Sequence, residues 1–332
     1  MSRHNREPGL LPRPLAVLAA LALAAATAVA VRLLPADAAR PPVAARPAVS
    51  PTITVAPPPQ KPPPAFVEFV DTARDPGLDL PGEARRSGVR HYALGHLVAG
   101  GDGCAPRWTG RLALGRNPVA NRIGRLRALG GDAVPIFGGP GGKELAVACP
   151  RPAALAAAYR RVVGAFGAEA VEFEVRDGAD RAAVLRRARA LRAVQHERPL
   201  RVVLTLPLTP EGLEPSDVTM LRLTRREGAE VATVNLLATV EPRAAGDGRL
   251  RRMAAAVRAA RDQIARAHGL ATPEEAWPRI ALTPVLAGAG DLSRADARTL
   301  AAYADRHGLA WLSLRGVNPI PDVLRILWST SP

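Results

Sequence analysis

From residue 65 onward the chain alternates short apolar runs with longer amphipathic ones. The short runs are Phe66 to Val70, His91 to Val98, Ala133 to Phe137, Ala170 to Val175, Arg201 to Leu206, Val231 to Leu237, Arg279 to Val285 and Leu309 to Leu314. Each has the length and the Val, Ile and Leu content of a strand. Between them, Val119 to Leu129, Ala153 to Phe166, Arg181 to Gln195, Leu250 to His268 and Arg294 to His307 repeat apolar positions at helical spacing. The last of these opens after Ser293, an N-cap residue, and closes at Gly308, a C-cap residue. Eight such alternations over residues 65–332 predict an α/β fold of the (β/α)8 TIM barrel type. An open doubly wound sheet is the competing arrangement, but no G-x-G-x-x-G follows the first strand, and the Gly-rich loop Gly138 to Lys143 lacks the Walker pattern.

One run is unusual. In Ala168 to Gly178, charged and apolar residues alternate with period two, so Glu172, Glu174 and Arg176 share one face of a strand and Val171, Phe173 and Val175 the other. Unpaired buried charge is costly, so such a row must face a solvated cavity or pair internally. In a barrel, chemistry sits at the carboxyl ends of the strands. That rule singles out Asp71, Gly138, Gly139, Arg176, Asp177, Asn235 and Arg315.

Composition narrows the function classes. The net charge of +15 comes almost wholly from arginine, Lys61 and Lys143 being the lysines, and the arginines are spread over many predicted helices. A dispersed distribution and 4% aromatic content argue against a nucleic-acid stripe or a base-stacking platform. With 48% apolar residues the chain can bury a substantial core. Residues 1–34 carry Arg3, Arg6 and Arg13 ahead of an uncharged run from Pro14 to Val31, which reads as an export signal or a signal-anchor helix. Ala36-Asp37-Ala38 would serve as a cleavage site, and the preceding positive charge sends the remainder outside. Residues 35–64, with two Pro-Pro-Pro triplets, form an extended spacer. The expected location is extracellular, tethered by the first segment or secreted.

Several fragments in order carry a resemblance. They are Phe69-Val70-Asp71, Tyr92-Ala93-Leu94, Gly103 to Trp108, Phe137-Gly138-Gly139, Glu144 to Cys149, Leu204 to Pro207 with Gly212-Leu213, Val234-Asn235, Leu282-Thr283-Pro284 and Ala295 to Arg298. Their order and spacing resemble the bacterial chitinase-like branch of glycoside hydrolase family 18 over almost the whole domain. The resemblance implies an exported domain acting on or binding β-linked N-acetylglucosamine polymers, with no cofactor and no nucleic-acid partner. It also implies a substrate-assisted hydrolysis, in which a glutamic acid ending the fourth strand protonates the leaving oxygen and the sugar's acetamido group attacks the anomeric carbon.

The family signature D-x-x-D-x-D-x-E falls here on Glu169, Glu172, Glu174 and Arg176. Three aspartates have become glutamates, which displaces each carboxylate by about an ångström, a shift worth on the order of a hundredfold in rate. The proton donor has become an arginine. A guanidinium does not cycle a proton near neutral pH, so Arg176 cannot be a general acid, and Asp177, one step along, would face the other way. The family's Met-x-Tyr group after Val234-Asn235 and its tryptophan at the end of the eighth strand are likewise replaced, by Leu236-Leu237-Ala238 and by Leu314-Arg315-Gly316.

Three functions stay open. The first is a glycan-binding domain with hydrolysis lost or strongly impaired, its charged row turned into an internal salt-bridge network. The second is an active glycosidase with a relocated acid, for instance Glu144, Glu241 or Asp71. The third is a basic mouth, with Arg176 and Arg315, holding an anionic cell-wall polymer. Asp71, Gly138, Gly139, Glu174, Arg176, Asn235 and Arg315 are the expected substrate contacts. Trp108, Trp311, His91 and His96 read as structural residues, and no metal motif is present. Cys104 and Cys149 fall in the loops after the second and third strands, neighbours in a barrel, so a disulfide across the rim is expected.

Overall fold

Period-two alternation builds the sheet much as the sequence predicts. In the computed structural model, which describes residues 65–176 and 178–329, the strands are β1 (Glu68–Asp71), β2 (His91–Ala99), β3 (Pro106–Trp108), β4 (Asp132–Gly138), β5 (Ala170–Glu174), β6 (Arg201–Pro207), β7 (Thr233–Thr239), β8 (Ile280–Leu286), β9 (Trp311–Leu312) and β10 (Arg315–Gly316). They run in parallel in the order β1-β2-β4-β5-β6-β7-β8, with β9 and β10 both on β8. The row curls until a parallel bridge between Phe66 and Leu312 joins last to first, with the Val67 amide donating to the Leu312 carbonyl at 2.9 Å. A (β/α)8 TIM barrel results, its eighth strand broken in two.

The helices are α1 (Leu80–Ser87), α2 (Ile123–Arg127), α3 (Leu145–Ala148), α4 (Pro152–Phe166), α5 (Arg181–Glu197), α6 (Pro215–Arg226), α7 (Arg249–His268), α8 (Arg294–His307) and α9 (Pro321–Ser329). Capping explains the predicted ones. Ser293 accepts from the Asp296 amide in a capping box that opens α8, and Gly308 closes it in the left-handed conformation. The stretch expected as one helix from Val119 to Leu129 is a 3-10 turn followed by a short α2, because the amphipathic run is too short to sustain more. Helices α1 and α6 were not expected; each carries a proline, Pro81 and Pro215, that reads as a breaker in sequence but stands in the first helical turn, where no amide is needed. Strand β3, also not expected, folds back antiparallel on β2.

The main core lies between the sheet and its helices, while Val67, Ala93 and Ile136, with Phe69 and Trp311 against them, fill the barrel interior. Trp108 is fully buried and packs edge-on to Phe166, a packing residue as expected. The expected export segment (1–34) and spacer (35–64) lie outside the described residues. Among the described residues no helix is long and apolar enough to cross a membrane.

One half-buried residue carries a pH dependence. Glu68 faces the helical layer, one of its carboxylate oxygens is buried without a hydrogen-bond partner among the described residues, and burial reinforced by the charge of Glu83 pushes its pKa to about 7. The folded state therefore holds a proton that the unfolded state releases above about 4.5, and stability falls as pH rises from there to 7. Glu68→Gln should stabilise the protein by about 2 kcal/mol above pH 7 and leave it unchanged near pH 4. Urea unfolding at the two pH values checks this; equal effects at both would refute it.

Candidate functional site

On β5 the alternation directs Glu172 and Glu174 into the barrel, while Phe173 points outward and stacks on Phe137 at 4.9 Å. Both carboxylates are buried. Register places Glu174 beside Gly138 on one side and Thr205 on the other.

Their counter-ion comes from the far side of the barrel. Arg315, on β10, donates through Nη1 to Glu174 and through Nη2 to Glu172 at 3.2 Å, and its guanidinium lies 3.9 Å over the Phe69 ring. The Arg315 side chain is 10% exposed. Thr205 Oγ1 donates to Glu172 at 2.5 Å, Asn235 Nδ2 donates to Thr205 Oγ1 at 3.3 Å, and Thr283 Oγ1 donates to Asn235 at 2.7 Å. His96 Nε2 stands 2.9 Å from Oε2 of Glu174, the same oxygen that Arg315 engages. Burial alone would raise the Glu174 pKa, but the His96 hydrogen bond and the Arg315 charge outweigh it and bring it down to about 2. Glu174 is thus a carboxylate, not an acid, at any physiological pH.

Arg176, expected at the mouth just past β5, reaches only to 3.5 Å from Glu174 and its side chain is 59% exposed. The intra-strand pair expected from sequence is therefore the weak one. The strong partner, Arg315, is 141 residues away in sequence. With Arg315 engaged inside the barrel, the two-arginine clamp for an anion is not formed.

The remaining candidates sort by position. Gly138 and Gly139 both have positive φ, and a Cβ on Gly139 would come within 2.5 Å of the His96 ring, while one on Gly138 would meet the Glu174 carbonyl at 2.3 Å. These glycines let His96 and β5 approach each other. Asn235 joins the network through Thr205. Asp71 does not join it; its carboxylate caps the turn after β1 by accepting from the amides of Ala73 and Arg74. Glu169 is exposed at the start of β5, without a side-chain hydrogen bond among the described residues. Asp177 lies outside the described residues.

The alternative acids are also engaged elsewhere. Glu144 is buried against Arg187 at 2.9 Å, and Glu241 is held by Arg252. Among the described residues no group of three or more His, Cys, Asp or Glu side chains could hold a metal ion.

Sequence reasoning missed His96, Thr205, Thr283 and Phe69. His96 was hidden because strict alternation puts it on the outer face with Leu94, whereas an irregularity in β2 between Leu94 and Leu97 turns it inward. Thr205 and Thr283 carried a usable signal, being inward-facing polar residues in otherwise apolar strands. The rim is cross-braced as expected: Cys104 and Cys149 form a disulfide, their Cα atoms 4.8 Å apart.

Chitinases are among the known proteins to which this chain is similar. The chain is 27% identical over 184 residues to a probable bifunctional chitinase/lysozyme of Escherichia coli (strain K12), a match covering 53% of this chain and 20% of that one. It is similar in structure to the catalytic domain of a hyperthermophilic chitinase from Pyrococcus furiosus (TM-score 0.69, 23% identity, 81% of this chain and 95% of that one). It is similar also to a GH18 chitinase from Pseudoalteromonas aurantia (TM-score 0.52, 12% identity, 80% and 99%). No family model matches the chain. The chain spans about a fifth of the length of its curated relative from Escherichia coli. Together these likenesses support a chitinase-like relationship to glycoside hydrolase family 18.

Proposed function

We propose that this chain is an exported or membrane-tethered chitinase-like domain that binds N-acetylglucosamine-containing glycan and has lost the family's hydrolysis, or nearly so. The ion cluster of Arg315 with Glu172 and Glu174 carries the reading. Glycosidic cleavage needs a protonated group at the leaving oxygen. Glu174 is locked as a carboxylate by His96 and Arg315, Arg176 has no proton to give, and Glu144, Glu241 and Asp71 are each bound to other groups. Substrate-assisted attack further needs a carboxylate free to orient the acetamido group, and the Arg315 guanidinium already occupies both candidates.

Glycan binding is supported by the chitinase likenesses and by the open polar residues at the mouth, Arg176 among them. Export is supported by the apolar run Pro14 to Val31 and by the disulfide, a bond favoured in oxidising compartments. The mouth's charges cancel internally, which favours a neutral glycan over an anionic polymer.

The purified protein should bind chitotetraose by isothermal titration calorimetry, with an affinity little changed by salt, and should release no product from it. Turnover that disappears on Glu174→Gln would overturn the loss of catalysis. Absence of binding would overturn the glycan assignment.

A further inference from the structure

Around the barrel the covering helices pack in succession from α4 to α7, and α9 packs on α8, but α7 and α8 scarcely meet. Between them a cavity of about 270 Å³ reaches down to Leu282 of β8. That is a little below the range of about 300–1,000 Å³ usual for drug-sized ligands, so its occupant is small.

The walls are apolar, formed by Met253 and Val257 of α7 and Leu300 of α8. Thr299, Tyr303 and His307 break them, and of these Tyr303 has an unsatisfied group. The Tyr303 hydroxyl is buried without a hydrogen-bond partner among the described residues, a donor left unsatisfied at a cost. At the rim stand Arg251, Arg258 and Arg306, all exposed. Among the described residues none of the three has a carboxylate within ion-pair distance, whereas the nearby Arg252 and Arg261 are paired with Glu241 and Asp262. The field at this end is positive: burial first, and then Arg306, Arg258 and Arg261, lower the pKa of His307 on the same wall. A gap left by well-packed helices, an unsatisfied hydroxyl and unpaired cations are each unremarkable alone. Together they define a complementary shape and charge.

We propose that this cavity binds a small free anion with a linear apolar tail, of the medium-chain carboxylate class. The tail lies against Met253, Val257, Leu282 and Leu300, and the carboxylate accepts from the Tyr303 hydroxyl and faces Arg258. A carboxylate satisfies the orphan donor and neutralises the rim, whereas an alcohol does only the first and an ammonium neither. The site is separate from the barrel mouth, so it stands or falls independently of glycan binding.

Isothermal titration calorimetry of the full chain with octanoate, octanol and octylammonium tests it. Octanoate should bind most tightly, and Tyr303→Phe and Arg258→Ala should each weaken it about tenfold. Arg258→Ala should leave octanol binding unchanged, since an alcohol carries no charge for the rim to meet, whereas Tyr303→Phe should weaken octanol as well. Ala254→Leu, which fills the gap from α7, should abolish octanoate binding while leaving the thermal transition in place. No binding of octanoate, equal binding of octanol or octylammonium, or octanoate binding that survives all three variants would overturn the proposal.

Discussion

Replacing Arg315 by methionine should destabilise the protein by about 3–5 kcal/mol at pH 7, because it removes the guanidinium shared by two buried carboxylates and leaves them facing each other. The effect should depend on pH in a defined direction. In the wild-type protein Glu174 titrates at about 2, below its ordinary 4.5, so its contribution is full above 4.5 and is lost as pH falls towards 2. In Arg315→Met the same carboxylate, buried beside Glu172 without its cation, holds a proton more tightly when folded. The variant therefore gains stability in acid while the wild type begins to lose it. Urea unfolding should show the gap between the two proteins narrowing markedly from pH 7 to pH 4. A gap of constant size would mean that Arg315 acts by packing on Phe69 rather than by charge. Adding Glu172→Gln and Glu174→Gln to Arg315→Met should recover most of the loss, since neutral side chains need no counter-ion.

The second large effect is expected at the rim. Cys104 and Cys149 are 45 residues apart, and closing a loop of that length restricts the unfolded chain by about 4 kcal/mol in the chain-entropy treatment. Cys104→Ser with Cys149→Ser should lower stability by up to that amount, measured as a fall in the urea midpoint under non-reducing conditions. Treating the wild type with reductant should bring its midpoint to that of the double variant. A double variant as stable as the wild type would place the bridge's contribution elsewhere, in strain or in residual denatured structure.

Much of the barrel was legible in the sequence because its strands are set by period-two patterning, and that pattern depends only on near neighbours. Seven of the eight predicted runs became single strands, while the last, Leu309 to Leu314, holds only the two-residue β9, with β10 starting just beyond it. The charged row was legible in part for the same reason: Glu172 and Glu174 share the inward face of β5, while Arg176 lies in the bend beyond the strand with its side chain largely exposed. What the pattern could not carry was partnership. Arg315 lay at the expected mouth position, but nothing local says that it turns into the barrel instead of out towards an anion. Asp71 shows the converse error, since a carboxylate at a strand end suits a turn cap as well as a ligand. His96 was lost to a single irregularity in β2, which reverses the facing of every residue beyond it. Helices α1 and α6 were lost because proline breaks a helix almost everywhere except in the first turn.

The split eighth strand bears on how the barrel is made. Synthesis delivers Glu172 and Glu174 well before the two-residue strand that carries Arg315, and until that strand docks on β8 the two carboxylates have only the exposed Arg176 nearby and no buried cation to accompany them out of water. The open half-barrel is held wet by its own charges. Docking of β10 is thus the step that lets the interior dry, and it couples pairing of the last strand to neutralisation of the fourth.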